Sequence, residues 1–428
     1  MVLFAAILVA KVLRFLTRLR GGGSAFPGWV LLKMVPDVLE RTLGSLPGGV
    51  VFVTGSNGKS TTTTMLSAVL RAHGVSVFTN PAGGNLPQGL ASAVAARARL
   101  SGRVVADWAI LEVDEAYGPI TAGLLRPDWV VVTNLQVDQL NRFGEPENVL
   151  EMIRTLCLSA RSGVVLNAGD PNLEQLGAHL AQPTPEGATI EVHPVGISNT
   201  ALDTQAHGLV SADVFFEESL VLDAPPCAVL SMAKGDRATI EVSEWTLSVA
   251  LPAPGLHYAI DAALAVGSAR VLLGDRFDPA IAAQSFENQD PVYGRGETIR
   301  YRNREISLTM MKNLPSLQVN LAAMTESAEH VWIAVDEGTP DPSWIFDVDL
   351  GPLDHVDVIS GTKAWQWVLL LEYRGIPYGR VIEDTQEALV AIVALEHTTA
   401  MPVRAIVNYE QMMVIRRLAG YKELEGAR

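Results

Sequence analysis

Residues 50–70, VVFVTGSNGKSTTTTMLSAVL, constrain the fold of this chain more than any other stretch. Val50, Val51, Phe52 and Val53 read as a buried strand, and Met65, Leu66, Val69 and Leu70 recur at helical spacing behind a glycine-bearing turn. A strand feeding a helix through Gly55, Ser56, Asn57 and Gly58 has the form of a phosphate loop. The glycines let backbone N–H groups turn toward an anion, and the helix N-terminus adds its dipole. Lys59 is placed to neutralise phosphate charge, Ser60 to hold Mg²⁺, and Thr61 closes the expected nucleotide-binding run. The spacing departs from the full G-x-x-x-x-G-K-[ST], because Val53 stands where the first glycine would be. The competing reading is a structural turn carrying an exposed lysine. Gly-Lys-Ser directly between an apolar strand and a helix favours phosphate.

From about residue 45, short apolar runs alternate with helical segments: 75–79, 108–113, 129–133 and 164–167 read as strands. Such alternation implies a parallel sheet with helices on both faces, whose ligands gather at the carboxyl ends of the strands. Three strand ends carry chemistry. Thr79 leads into Asn80-Pro81-Ala82-Gly83-Gly84-Asn85, a glycine-rich loop. Glu112-Val113-Asp114-Glu115 brings carboxylates beside the phosphate loop, where they could take Mg²⁺; solvated acids capping the next helix are the alternative. The third end gives Asn134 and then Asp138-Gln139-Leu140-Asn141-Arg142-Phe143-Gly144. Residues 185–250, with Thr189-Ile190-Glu191-Val192 and Ala238-Thr239-Ile240-Glu241-Val242, read as a small antiparallel insert. From about 298 the alternation restarts, with strands at 306–310, 331–335, 356–359 and 403–407, giving a second α/β domain and a substrate cleft at the junction. Lys312 is either a phosphate contact there or an ordinary surface lysine. The expected division is 1–44, 45–297 and 298–428.

The chain of 428 residues is long enough for two to four domains, and 48% hydrophobic with 18% charged residues is an ordinary globular balance. A formal net charge of −15 argues against nucleic acid as the partner, since phosphate backbones are bound through clustered Lys and Arg. Cys157 and Cys227 lack C-x-x-C spacing, which excludes a zinc ribbon and a disulfide framework and points to a reducing compartment; no zinc is expected. Residues 1–20 carry Lys11, Arg14, Arg18, Arg20 and no acid. Their ten-residue apolar start is too short to span a bilayer, which takes about 20 residues. Its positive charge follows the apolar run, the reverse of a secretory signal. On a helix Lys11, Arg14 and Arg18 share a face, so this end either lies on an anionic membrane or packs on the next domain. Gly21-Gly22-Gly23-Ser24 and Pro27-Gly28 make 21–44 a connector with one helix.

GSNGKST, TNPAGGNLPQG, EVDEA, TNLQVDQLNRFGE and LNAGDP, in this order, resemble the central domain of the Mur ligase superfamily, ATP-dependent enzymes that form amide bonds on cell-wall precursors. Tyr293-Gly294-Arg295-Gly296-Glu297 and Ser343-Trp344-Ile345-Phe346-Asp347-Val348-Asp349 are similar to segments of its MurT branch, and the resemblance runs from Met1 to about Gly420. It implies a P-loop central domain, a Rossmann-like C-terminal domain, and ATP-dependent amidation of the D-glutamate α-carboxylate of lipid II. The implied ammonia source is a GatD-like glutaminase subunit, and the implied location is the cytoplasm at the inner face of the plasma membrane. Carried over, Gly55, Asn57, Gly58, Lys59 and Ser60 hold ATP phosphates and Mg²⁺, with Glu112 and then Glu115 as metal acids. Asn80 and Asn85 lie near the reacting carboxylate, and Arg295 and Glu297 mark the hinge near the nucleotide. In that branch a C-terminal aspartate orients the glutaminase histidine; Asp341, then Asp347, then Asp349 are the candidates here, with helix capping as the alternative for Asp341.

Five departures accompany the resemblance. Gln139 stands where Mur ligases commonly have a metal-binding His, the four-cysteine ribbon of many MurT chains is missing, Tyr258 replaces the adenine-side Asn with either stacking on the base or a weaker site as the consequence, Lys312-Asn313-Leu314-Pro315-Ser316 departs from Lys-Asn-Pro-Ala-Gly, and Gly338-Thr339-Pro340-Asp341 lacks the usual Asp-Gly before the SWIFD segment. An amino-acid-adding ligase of folylpolyglutamate synthase type and a non-catalytic nucleotide-binding scaffold are the rival readings. The first would show amino-acid-dependent ATP turnover, the second none.

Overall fold

A computed structural model describes residues 2–19, 25–81, 84–136, 145–183, 189–202, 212–216, 219–287, 295–322, 328–337 and 343–421, which fall into two compact units. In the first unit, α1 (Val2–Leu19), α2 (Ala25–Met34) and α3 (Val38–Leu43) precede β1 (Gly49–Thr54). Two helices, rather than one, occupy the expected connector. Pro27 falls in the first turn of α2, where its missing N–H is not needed, so Pro27-Gly28 continues the helix instead of turning the chain. Gly28 is held by Ser92, whose hydroxyl accepts its N–H at 2.8 Å; a Cβ there would stand 1.9 Å from the Gln88 carbonyl oxygen.

The unit continues through α4 (Lys59–Ala72), β2 (Val77–Phe78), α5 (Pro87–Arg97), β3 (Trp108–Glu112), α6 (Gly118–Leu124), β4 (Trp129–Val132), α7 (Pro146–Leu158), β5 (Gly163–Asn167), α8 (Pro171–Leu180) and β6 (Glu191–Ile197). It ends with α9 (Asn199–Leu202), β7 (Ala228–Lys234), β8 (Arg237–Val242), β9 (Trp245–Ala250), α10 (Leu256–Leu273) and α11 (Pro279–Gln284). These strands form one sheet in the order β2-β3-β1-β4-β5-β6-β7-β8-β9. Central β1 is buried along its whole length, as its unbroken apolar run requires of a strand covered on both faces. Its register with β3 pairs Val53 with Glu112, which brings the phosphate loop and the acidic strand end to one edge.

The 185–250 region differs from expectation. Residues Glu191–Ile197 pair parallel with β5, and β7 pairs parallel with β6; only β7-β8-β9 is antiparallel. This segment therefore extends the main sheet. Val192 and Val195 are buried against it, and leaving the β5 edge unpaired would expose a row of backbone donors and acceptors. Helix α10 begins the one segment among the described residues with the length and apolarity of a membrane span, but 83% of that window is buried inside the unit. Apolar nearly all round, it is a core helix.

In the second unit, β10 (Arg295–Tyr301), β11 (Arg304–Met310), α12 (Leu314–Ala322), β12 (Val331–Ala334), a 3-10 turn over Ser343–Asp347, β13 (Val356–Ser360), α13 (Ala364–Arg374), β14 (Tyr378–Val381), α14 (Thr385–Val393), β15 (Val403–Val407) and α15 (Tyr409–Leu418) follow in order. The sheet order is β10-β11-β15-β12-β13-β14, parallel except for β10. Buried clusters lie on both faces: Ile333, Trp367 and Leu371 belong to one, Trp332, Leu389 and Ile392 to the other. The tight β10-β11 hairpin turns at Arg302, with φ +52°, and pairs Arg300 with Glu305. Arg295 and Glu297, expected at the end of the central domain, thus lie in the second unit's edge strand.

Candidate nucleotide site

The strand-to-helix turn expected at residues 54–60 is present, and its shape follows from two glycines. Gly55 (φ +126°) and Gly58 (φ +81°) adopt backbone conformations that side chains disfavour. A Cβ on Gly58 would lie 2.2 Å from Asp261 Oδ1, and one on Gly55 2.3 Å from Thr133 Oγ1. Gly58 ends the loop and α4 begins at Lys59, so the first N–H groups of the helix have no intrahelical acceptors.

Lys59 is 7% exposed and curls back over the loop: its Nζ donates to the Gly55 carbonyl at 2.5 Å, the Ser56 carbonyl at 3.2 Å and Glu115 Oε2 at 2.8 Å. Glu115, expected as a metal ligand, serves in this geometry as the counter-charge to Lys59. Glu112 meets Ser60 instead. Buried at the end of β3, it accepts the Ser60 hydroxyl at 2.6 Å on Oε2 and the Asn85 amide at 3.3 Å on Oε1. Two hard oxygens so close together at the start of α4 are the donor set that Mg²⁺ prefers.

The asparagines are placed differently from each other. Asn80 spends its side chain on backbone: Oδ1 accepts the Glu112 N–H at 2.9 Å, and Nδ2 donates to the carbonyls of Glu112 and Gly84, both at 3.0 Å. It positions Glu112. Asn85 touches the Glu112 carboxylate itself. Ser56 and Asn57 are likewise tied down. Ser56 Oγ accepts from Gln136 N at 3.0 Å and donates to its carbonyl at 3.2 Å. Asn57 N–H donates to Asn134 Oδ1 at 2.9 Å, and its carbonyl accepts from Thr133 Oγ1 at 2.6 Å. Thr61 is buried in the first turn of α4.

Several residues of this site went unassigned at the sequence level. Asp261, on α10, accepts the Thr62 hydroxyl at 3.1 Å and is nearly buried against the Gly58 turn. Asp170 caps α8 through Asn172 and Leu173 and also accepts the Leu135 N–H at 2.8 Å, bracing the strand end that holds Asn57. The Asp-Pro of LNAGDP was a readable capping signal; nothing local marked Asp261.

Tyr258 does not take the place expected of it. It is 2% exposed, with its ring centroid 4.2 Å from that of His257, because α10 is buried on nearly every side. A buried ring offers no face for a base. In the second unit, Glu297 is ion-paired with the buried Arg416; only the backbone of Arg295 is described. Asp347 is exposed at the end of the 3-10 turn; Asp349 is exposed too, with Oδ1 accepting the Gly351 N–H at 2.9 Å. Asp341, Tyr293, Gly294 and the segment 138–144 lie outside the described residues. Lys312 follows β11, and its N–H donates to Ser316 Oγ at 2.9 Å in the capped start of α12, where Asn313 Oδ1 accepts the Ser316 N–H at 3.0 Å.

A phosphate loop on the central strand of a parallel sheet, with an acid-tipped neighbour strand and a second α/β unit, defines a class of P-loop ligases. Residues 53–269, half of the chain, match the Mur ligase middle domain, and the chain belongs to that family. Within it, the chain is 26% identical over 98% of its length to the MurT subunit of lipid II isoglutaminyl synthase (glutamine-hydrolyzing) from Streptococcus pneumoniae, covering 97% of that protein. It is 24% identical to the corresponding Staphylococcus aureus subunit, covering 89% of this chain and 90% of that one. Among solved structures, MurF from Acinetobacter baumannii superposes with a TM-score of 0.65 at 16% identity over 90% of this chain and 80% of that one. MurF from Thermotoga maritima, solved with ADP, gives 0.63 at 18% identity over 93% and 84%. These superpositions bear out the expected fold class.

Proposed function

We propose that this chain is the synthetase subunit of a lipid II amidating enzyme, replacing an oxygen of the D-glutamate α-carboxylate by nitrogen at the expense of ATP. The observation that carries the reading is the pairing of near full-length similarity to MurT subunits with a glycine turn at which Lys59 meets Glu115 and Ser60 meets Glu112. A carboxylate does not condense with ammonia at neutral pH because its oxygen is a poor leaving group. In the proposed sequence, a carboxylate oxygen attacks the γ-phosphorus and ADP departs. Ammonia then attacks the acyl carbon, phosphate leaves with the original carboxylate oxygen, and nitrogen gives up its surplus proton.

The loop amides and the start of α4 receive the phosphates, and Lys59 moves from Glu115 to phosphate oxygen as charge builds. Ser60 and Glu112 hold Mg²⁺, which when bound shields the phosphate charge. Asn80 and Asn85 keep Glu112 aimed. A glutaminase partner releases the ammonia, and an aspartate of the second unit orients its histidine, with Asp341, then Asp347, then Asp349 as the candidates; the last two are exposed.

The lipid-linked substrate is reached at the cytoplasmic membrane face through α1. Phe4, Val12 and Phe15 are at least 48% exposed and Leu8 43%, and Trp29 of α2 is 51% exposed. Lys11 sits apart from that stripe, donating to the Ala96 carbonyl at 3.2 Å. An exposed apolar stripe on a basic helix is the composition of an interfacial element.

The test is ATP turnover by the purified chain with lipid II, with and without a glutaminase subunit, using ammonium or glutamine and scoring product by mass. A loss of about 1 Da on lipid II with ammonium, and with glutamine only when the partner is present, is the expected result, since OH is exchanged for NH₂. Turnover that requires an amino acid, or nucleotide binding without turnover, would overturn the reading.

A further inference from the structure

Three histidines and two carboxylates gather at the amino ends of parallel strands in the second unit. Glu329 and His330 lead into β12, His355 leads into β13, and His397 lies on the segment running toward β15. Glu329, His330 and His397 each offer a ligand atom, all within 4.8 Å of one another, the one such group among the described residues. The two imidazoles meet edge to face, with centroids 4.4 Å apart and planes at 75°, and His397 Nδ1 is 3.7 Å from Glu329 Oε2.

The decisive feature is His397. Its side chain is 3% exposed, yet neither ring nitrogen has a hydrogen-bond partner, and His330 Nδ1 also lacks one. Buried polar atoms are ordinarily satisfied, so two histidines left this way beside a carboxylate point to a ligand. The surroundings are built to orient such ligands. Thr398 and Thr399 each donate a backbone N–H and a hydroxyl to Glu329, fixing both its oxygens. The Glu396 carbonyl lies 3.1 Å from His330 Nε2, which leaves Nδ1 as the ligand atom; Asp357, itself held by the Val331 N–H at 2.8 Å, stands 3.5 Å from that Nδ1, at the rim of the same site, and 3.2 Å from His355 Nε2. Carboxylates and carbonyls in this outer position set imidazole orientation in metal sites.

We propose that Glu329, His330 and His397 bind one zinc-class divalent ion, which fastens the chain entering β12 to the segment ahead of β15. Two imidazoles and a carboxylate suit zinc, whose ligands at about 2.0–2.1 Å stand roughly 3.3 Å apart, so no pair of the three atoms has to close by more than about 1.5 Å on binding. Cysteine content, on which the expectation of no zinc rested, does not bear on a histidine site. Substrates on open α/β sheets bind at the carboxyl ends of strands, and this cluster is at the amino ends, so its role is structural.

The test uses the full chain, stripped by chelator and without nucleotide, titrated with Zn²⁺ by calorimetry and with Co²⁺ by visible absorption. One equivalent should bind, with cobalt ligand-field bands and a rise in melting temperature. His397→Gln and Glu329→Gln should each weaken binding at least tenfold and remove that rise while retaining native circular dichroism; Gln at 329 keeps an acceptor oxygen for the donors of one of the two threonines, on the exposed side of the cluster, so it reports even where His397→Gln fails to fold. His355→Gln should bind as the unaltered chain does. No stoichiometric binding by the unaltered chain, or unchanged binding in folded Glu329→Gln or His397→Gln, would overturn the proposal.

Discussion

Lys59 and Glu115 form a buried pair whose structural and chemical roles can be separated. Their side chains are 9% and 2% exposed at an Nζ to Oε2 distance of 2.8 Å. Removing one member of such a pair leaves the other charge buried and costs about 3–5 kcal/mol. Glu115→Gln leaves the Lys59 ammonium its two loop carbonyls, so its cost falls near the lower end, about 3 kcal/mol. In a unit of this size each kcal/mol moves the melting temperature by about 2–4 °C, giving a fall of about 6–12 °C. Lys59→Met strands a carboxylate and should cost at least as much.

The double variant Lys59→Met/Glu115→Leu has no buried charge and should melt close to the unaltered chain, because replacing a buried pair with apolar groups is often neutral or stabilising. The cycle is closed with the Glu115→Leu single, which strands the Lys59 ammonium and should cost at least as much as Glu115→Gln, so the coupling energy from calorimetric melts would be about 6 kcal/mol. ATP turnover separates the roles: both Lys59 variants should lose it, the stable double included, while Glu115→Gln retains it because Lys59 is still there for phosphate. Single costs that add to the double within about 0.5 kcal/mol would refute the pairing, since that is the additivity of independent sites.

Other outcomes follow from the same geometry. Gly58→Ala forces a methyl against Asp261 at a left-handed backbone position and should abolish nucleotide binding measured by calorimetry, with Asp261→Gly/Gly58→Ala recovering part of it. Ser60→Ala removes the hydroxyl that faces Glu112 and should raise the Mg²⁺ needed for half-maximal turnover at least tenfold, a change of about 1.4 kcal/mol. Burial pushes the Cys157 and Cys227 thiols up to about 12, so both should resist a thiol reagent at pH 8 until the chain is unfolded. Because those folded values exceed the unfolded ones, their contribution to stability is complete below about pH 9 and falls away as pH rises toward 12, which alkaline melts would register. Phe15→Glu, at a position 64% exposed, should leave the melting temperature unchanged and lower sedimentation with anionic vesicles at least tenfold, since burying a Phe contributes roughly 1.5–3 kcal/mol.

How far the sequence was legible depended on whether the information was local. The phosphate loop and the strands at 108–112 and 129–132 were readable because unbroken apolar runs and a Gly-Lys-Ser turn specify them within a few residues. Glu191–Ile197 was misassigned to an antiparallel insert because alternation marks a strand without naming its neighbour; pairing with β5 is decided 24 or more residues away in sequence. Tyr258 failed for a related reason. The helix that bears it is apolar on nearly all sides, so no moment indicated which residues faced inward. Asp261 was invisible because its role lies in what it excludes at Gly58, about two hundred residues earlier.

The same distinction explains why the two acids after β3 separate in role. In sequence Glu112 and Glu115 are equivalent carboxylates three residues apart at a strand end. In the fold Glu112 closes the strand, paired in register with Val53, so its side chain meets Ser60 at the head of α4. Glu115 lies past the end of the strand and meets Lys59, the residue before Ser60. Adjacent residues at a helix start point about 100° apart, so each acid engages a different one. In the proposed mechanism a single carboxylate could not both hold a cation at Ser60 and release Lys59 toward phosphate, and two acids past one strand would supply both without competing.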